Sequence, residues 1–163
     1  MSGKPSRTQA RRAARQLTLQ ALYQWQISGN PMQEVELNIR ASLPDDGLDE
    51  QEEITLVLKK ADLAYFHELA QGIAANPTIL DQAFAEFLDR PAVELDPVEL
   101  ALLRLGAYEM LNRVDVPYRV VINEAVELAK RFGGTDSHKY INGILDKLAR
   151  QVRSVEIEAR RSS

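Results

Sequence analysis

Asp96-Pro97-Val98-Glu99-Leu100-Ala101-Leu102-Leu103-Arg104-Leu105-Gly106-Ala107-Tyr108-Glu109-Met110-Leu111 is the stretch on which the fold turns. Its opening carries the signals of a helix start. Asp96 can accept backbone N–H groups as N-cap, Pro97 suits the first helical position because that position needs no donor, and Glu99 stands three residues after the cap, where it can close a capping box. The run from Leu100 to Leu111 is apolar almost all round, so this helix has no broad face to give to water. It belongs at the centre of a bundle, covered on several sides.

The neighbouring segments supply that cover. Pro117 opens a helix with Val121, Ile122, Ala125, Leu128, Ala129 and Phe132 on one face and Glu124, Glu127, Lys130 and Arg131 on the other. Gly133-Gly134 stops it. A last helix starts near Asp136, turns Ile141, Ile144, Leu145, Leu148 and Val152 inward, and passes into a mixed-charge tail over 151–163 that is expected to fray. On the amino-terminal side, Leu63, Phe66, Leu69, Ala70 and Ile73 mark one helix, and Ile79, Leu80, Ala83, Phe84 and Phe87 mark another, with Asn76-Pro77 between them. These two should form a hairpin.

Near the start of the chain, Ala14, Leu17, Thr18, Ala21, Leu22 and Trp25 fall at helical spacing on one stripe, and Gly29-Asn30-Pro31 ends it. A shorter helix is expected from Met32 to about Arg40. An acidic linker comes next over 44–60, its charge concentrated in 44–53. No stretch alternates as a strand would, so the expected fold class is all-α, a compact bundle of about seven helices. The expected organisation is one domain over 1–163, with a flexible basic arm at 1–10.

Composition narrows the chemistry. Among 163 residues there is no cysteine, which removes disulfides, thiolate zinc sites, iron–sulfur ligation and thiol nucleophiles together. Only His67 and His138 offer imidazoles, and neither GxGxxG nor GxxxxGK[ST] occurs. No enzyme, cofactor or metal is expected. His67 reads as a packed or surface histidine, and Glu124 with Glu127 as solvated helix charges. No run approaches the roughly 20 apolar residues of a membrane span, and Met1–Arg7 lacks an apolar stretch, which predicts a cytoplasmic protein without membrane contact.

The net charge of −4 hides an asymmetry. Residues 1–33 hold Lys4, Arg7, Arg11, Arg12 and Arg15 with no acid, so they carry +5 and the remainder −9. A cationic arm on an acidic protein fits a polyanionic partner. At 100° per residue, Arg11, Arg12 and Arg15 share a sector of about 100° beside the apolar stripe, with Leu19 and Tyr23 on the same flank. Arginine forks suit phosphates and a tyrosine ring suits an unpaired base. The plainer alternative is a solvated helix face. A second candidate is Gly133-Gly134-Thr135-Asp136-Ser137-His138-Lys139-Tyr140-Ile141-Asn142, where a helix start gathers hydroxyl, carboxylate, imidazole, ammonium and phenol groups. Its alternative is an N-cap at Thr135 or Asp136 with Tyr140 at the rim of the core.

Several segments together resemble a known family. Arg12-Ala13-Ala14-Arg15 with Gln20-Ala21-Leu22-Tyr23-Gln24-Trp25-Gln26, then Asp115-Val116-Pro117-Tyr118 with Ile122-Asn123-Glu124-Ala125-Val126-Glu127-Leu128-Ala129-Lys130, and finally Asp136-Ser137-His138-Lys139-Tyr140-Ile141-Asn142-Gly143-Ile144-Leu145-Asp146-Lys147, are similar to the NusB family of bacterial transcription antitermination factors. The likeness spans about residues 7–150. It implies two helical subdomains and no catalysis. It further implies binding of boxA-type single-stranded RNA in ribosomal RNA transcripts, together with the ribosomal protein NusE, within the RNA polymerase antitermination complex. By position, the implied RNA-binding residues are Arg11, Arg12, Arg15, Gln20, Tyr23, Asp136, Lys139 and Tyr140, and the implied NusE-facing residues are Glu99 and Arg104. Whether the free chain pairs with itself as a homodimer stays open. The competing expectation is a protein-interaction adaptor without sequence-specific RNA binding.

Overall fold

The computed structural model describes residues 5–42, 57, 58 and 60–162, and these form helices with no strand among them. The chain divides into two compact units, 1–75 and 76–163. Most of the expected acidic linker lies outside the described residues.

In the first unit, α1 (Arg7–Ser28) begins where Ser6 and Gln9 close a reciprocal capping box, the Ser6 hydroxyl accepting from Gln9 N at 3.1 Å and the Gln9 amide oxygen from Ser6 N at 3.0 Å. The helix thus takes in residues 7–10, in place of the flexible arm expected there. It ends on Gly29 at φ 74°, a left-handed conformation that glycine adopts without Cβ strain. Two further helices, α2 (Met32–Arg40) and α3 (Leu63–Ala75), pack on α1 and on each other. Ala14, Leu17, Ala21 and Leu22 meet Val35, Ile39, Phe66, Leu69 and Ile73 in the core. Thr18 lies within that stripe, and its hydroxyl donates to the Ala14 carbonyl at 2.8 Å, which removes the cost of burying it.

The second unit is built around α5 (Pro97–Asn112), covered by α4 (Pro77–Phe84), α6 (Tyr118–Phe132) and α7 (Ser137–Val152). Ala101, Leu102, Leu103, Leu105, Ala107 and Met110 are all buried, as an all-round apolar helix requires. At Gly106 a Cβ would stand 2.7 Å from a Leu145 methyl, so glycine is what lets α7 come so close. The two segments expected to pair as a hairpin fall on either side of the division between units, and each packs within its own.

Local details differ from expectation for physical reasons. Asp96 caps α5 through Val98 N at 2.8 Å, but Glu99 does not complete the box; its carboxylate accepts instead from the Ser137 hydroxyl at 2.9 Å. Glu124 is buried, not solvated, because its position on α6 faces into the unit. Gly133 ends α6 in an extended conformation, and a Cβ there would meet the Ala129 carbonyl at 2.8 Å.

The largest correction concerns the tail. It forms α8 (Ser154–Ser162), and Arg153 before it is buried. The Arg153 guanidinium donates to the carbonyls of Glu109, Met110, Arg113 and Val116 and pairs with Glu156, whose other oxygen accepts from Tyr118 N. Those carbonyls stand at and just beyond the end of α5, where the regular ladder runs out, though the Glu109 carbonyl also accepts from Arg113 N and the Arg113 carbonyl from Val116 N. One buried arginine therefore satisfies the helix end and secures the segment expected to fray.

Candidate nucleic-acid interface

On α1 the three arginines do not share one exposed face. Arg12 is exposed, Arg11 is half-buried, and Arg15 is only 3% exposed. The cause is Tyr65 on α3: the Arg11 guanidinium stands 4.5 Å from its ring centroid and that of Arg15 5.6 Å. Tyr65 is itself buried, and its N–H donates to the Asp62 carboxylate at 3.0 Å, which fixes the start of α3 beneath the arginines. Cation–π attraction strengthens where water is excluded, so the inner side of the basic sector is drawn into the unit. On the outer side Arg12 is exposed. Arg12 and Tyr23 are eleven residues apart, which returns them to within about 20° of one helical line. Tyr23 is exposed and Gln20 half-buried, while Leu19 on the same flank is buried.

In the second unit the candidate residues gather at the start of α7. Asp136 sits at the cap position with φ 67°, a left-handed conformation that aspartate tolerates better than most side chains. Its carboxylate makes no capping bond and lies 3.3 Å from the Lys139 ammonium, both being well exposed. Ser137, next in sequence, is the buried member, tied to Glu99. Tyr140 is half-buried, and its O–H donates to the Asp89 carboxylate at 2.7 Å while its oxygen accepts from Asp89 N at 3.4 Å. Arg90 completes the group, with Nε 2.9 Å from Asp89 and its guanidinium 5.4 Å from the Tyr140 ring centroid.

The electrostatics agree with that geometry. Partial burial, and then the bond to Asp89, push the Tyr140 phenol above its usual value, so it stays a donor. Arg90 first, and then Tyr140, hold the Asp89 carboxyl below the ordinary carboxylate range. Sequence reasoning misses Asp89 and Arg90, because nothing in a loop dipeptide between two helical patterns points to a ring 51 residues later. Their only signal is an adjacent acid and base at a break in helical periodicity.

Glu99 and Arg104 are five residues apart on α5, about 140° around the helix, and they face different neighbours. Glu99 meets Ser137 of α7. Arg104 forms a two-pronged pair with Asp81 of α4, both contacts 2.9 Å and the arginine side chain 13% exposed. Among the described residues no set of three or more His, Asp or Glu side chains could hold a metal, and no helix is long and apolar enough to cross a membrane.

The NusB family model matches residues 12–150. The transcription antitermination protein NusB of Chromohalobacter salexigens is 54% identical over 94% of this chain and 92% of its own length. That of Alcanivorax borkumensis is 48% identical over 96% of each. A solved structure of T. maritima NusB (P3121, Form 2) superposes with a TM-score of 0.68 at 27% identity, covering 91% of this chain and 93% of that one. Family model, sequence and fold agree along nearly the whole length, and the chain belongs to the NusB family.

Proposed function

We propose that the chain is a non-enzymatic transcription antitermination factor that binds boxA-type single-stranded RNA of ribosomal RNA transcripts together with NusE. The observation that carries this reading is that both units present cations and a tyrosine at the surface: Arg12 on the helical line of Tyr23, about three turns away, in the first, and Arg90 over the Tyr140 ring with Lys139 next in sequence in the second. Single strands need that combination, since cations neutralise phosphates while rings stack on unpaired bases. Family membership supports the antitermination role, which is the name both compared relatives bear.

In this reading Arg11, Arg12 and Lys139 serve phosphates, and Gln20, Tyr23, Asp136 and Tyr140 meet bases. Arg15 acts from below, holding Tyr65 and the cationic end of α1 in place. Glu99 serves the NusE contact, and Arg104 sets the angle of α5 through Asp81. A partner sharing the RNA adds surface and lets modest contacts give firm binding.

The test is fluorescence anisotropy of a labelled boxA-like strand, a scrambled strand and duplex DNA, with and without purified NusE. Preference for the boxA-like strand, sharpened by NusE, is expected. With Arg15 withdrawn, three or four phosphate contacts give a slope of log affinity on log salt of about −2 to −3. Equal weak binding to all three, indifferent to NusE, would overturn the reading in favour of a protein-interaction adaptor.

A further inference from the structure

The pair Asp89-Arg90 is not among the residues that the family likeness implies for RNA, and its placement is unusual for a nucleic-acid surface. A carboxylate stands where a polyanion would be bound. On charge alone Asp89 should oppose binding. Its contacts say otherwise. It accepts the Tyr140 O–H at 2.7 Å and the Arg90 Nε at 2.9 Å, and its own N–H donates to the Tyr140 oxygen at 3.4 Å. A phenol held from two sides by one residue cannot swing about its Cα–Cβ bond without breaking both contacts. The same carboxylate holds the Arg90 guanidinium 5.4 Å from the ring centroid. These residues sit in the break between the 3₁₀ turns Ala85–Phe87 and Ala92–Glu94, where the backbone offers little restraint of its own.

We infer that Asp89 is a positioning residue for RNA recognition, latching the Tyr140 hydroxyl so that its ring and the Arg90 guanidinium form a preset platform for one unpaired base and its phosphate. This rests on the proposed RNA binding and deepens it. Preorganisation is where the gain arises: an exposed tyrosine that must be immobilised on binding loses rotamer entropy that a latched one has already given up. Asp89 carries one negative charge, but Arg90 neutralises it locally, so the net electrostatic cost to an approaching phosphate is small.

The opposing effects of charge and position make the inference testable with the full chain and the labelled boxA-like strand. If Asp89 were only an acid near RNA, Asp89→Ala would tighten binding by removing a repulsion. The latch requires that Asp89→Ala weaken it, by about fivefold for one hydrogen bond's worth of preorganisation. Tyr140→Phe keeps the ring and loses the hydroxyl, so it should weaken binding to the same extent. The double variant should be no worse than either single one, since both break the same contact. Asp89→Asn keeps an oxygen acceptor for the phenol and should bind more tightly than Asp89→Ala. Arg90→Ala should lower affinity and make the salt slope shallower by about 0.7, the value of one single-strand phosphate contact.

Thermal unfolding of each variant shows that the fold is retained; the residues are at the surface, and Tyr140→Phe is the mildest change if another variant fails. Tighter binding by Asp89→Ala, or additive losses in the double variant, would overturn the latch. Arg12→Glu separates the latch from the RNA binding on which it rests. If it abolishes binding while the Asp89, Arg90 and Tyr140 variants all bind as the parent does, the latch is wrong and the RNA reading stands. If the parent chain itself shows no preference for the boxA-like strand, the RNA reading fails and the latch falls with it.

Discussion

Each unit buries more than one charged group, and Glu36 in the first and Arg153 in the second are opposite in kind. In the first, Glu36 of α2 is 5% exposed and accepts from Arg40 Nε at 2.9 Å and Gln71 Nε2 at 2.7 Å, with His67 Nδ1 at 2.9 Å. In the second, Arg153 is likewise 5% exposed, but most of its acceptors are main-chain carbonyls. The anion is held by side chains that can be deleted or titrated. The cation is held chiefly by backbone, which no substitution removes. Burial alone is therefore a poor guide to what a buried charge does: Glu36 joins two helices through replaceable partners, whereas Arg153 ties down a helix end through main-chain carbonyls.

The hardest blow to that contrast is Arg153→Ala. Four carbonyls and Glu156 lose the guanidinium at once, although the Glu109 and Arg113 carbonyls keep a backbone donor, and the start of α6 loses the support of a carboxylate that Arg153 helps to hold. A loss of about 3 to 4 kcal/mol is expected, the range for breaking a buried, fully bonded charge. Chemical denaturation would show it as a lowered midpoint, and hydrogen exchange should open α8 and the end of α5 first. A loss under about 1 kcal/mol would mean water replaces the guanidinium at little cost and that the tail is only loosely tied.

Glu36→Gln comes next, at about 2 kcal/mol, because an amide keeps one acceptor but turns donors toward Arg40 and Gln71. Its pH dependence sharpens the comparison. Burial works to raise the Glu36 pKa, but the bonds from Gln71, His67 and Arg40 outweigh it and hold the carboxyl below its ordinary 4.5. A group depressed in the folded state gives stability that is present above its unfolded pKa and lost as pH falls through the folded one. The penalty of Glu36→Gln should therefore be full near neutrality and shrink below about pH 4.5. Parallel denaturation of both proteins at pH 7 and pH 3 measures this, and a constant penalty would sink it. The four carbonyls about Arg153 do not titrate, so most of the Arg153→Ala penalty should persist over the same range.

These two sites also show what a sequence can reveal in advance. The helices of both cores follow from 3.6-residue spacing, and α5 follows from a capping aspartate, a proline and an unbroken apolar run, since those signals are local. Glu36 and Arg153 each have one local partner, Arg40 and Glu156, but that spacing is common to solvated helix pairs; the partners that bury them lie 31 and 35 residues away for His67 and Gln71 and up to 44 for Glu109. A charged residue in a polar stretch reads as solvated unless its long-range partners are known. Arg15 departs from expectation for the same reason. Its angle on α1 is as the helical spacing predicts, but Tyr65, which buries it, stands 50 residues on. The Asp136, Lys139 and Tyr140 group is legible as a cluster because the three lie within five residues, whereas its second half, Asp89-Arg90, is not.

The smallest effect should come from His67. Its imidazole touches the same buried carboxylate as Arg40 and Gln71, yet its side chain is 61% exposed, so most of its interaction is shared with water. A contact so largely shared with water is worth at most about 1 kcal/mol, and His67→Ala should cost about 0.5 kcal/mol at pH 7. If His67→Ala instead costs as much as Glu36→Gln, the exposed ring is an integral part of the Glu36 site, and the first unit holds its charge by complete enclosure, as the second does. Equality of the two penalties would erase the contrast between a carboxylate gripped by a few side chains and an arginine set into the backbone.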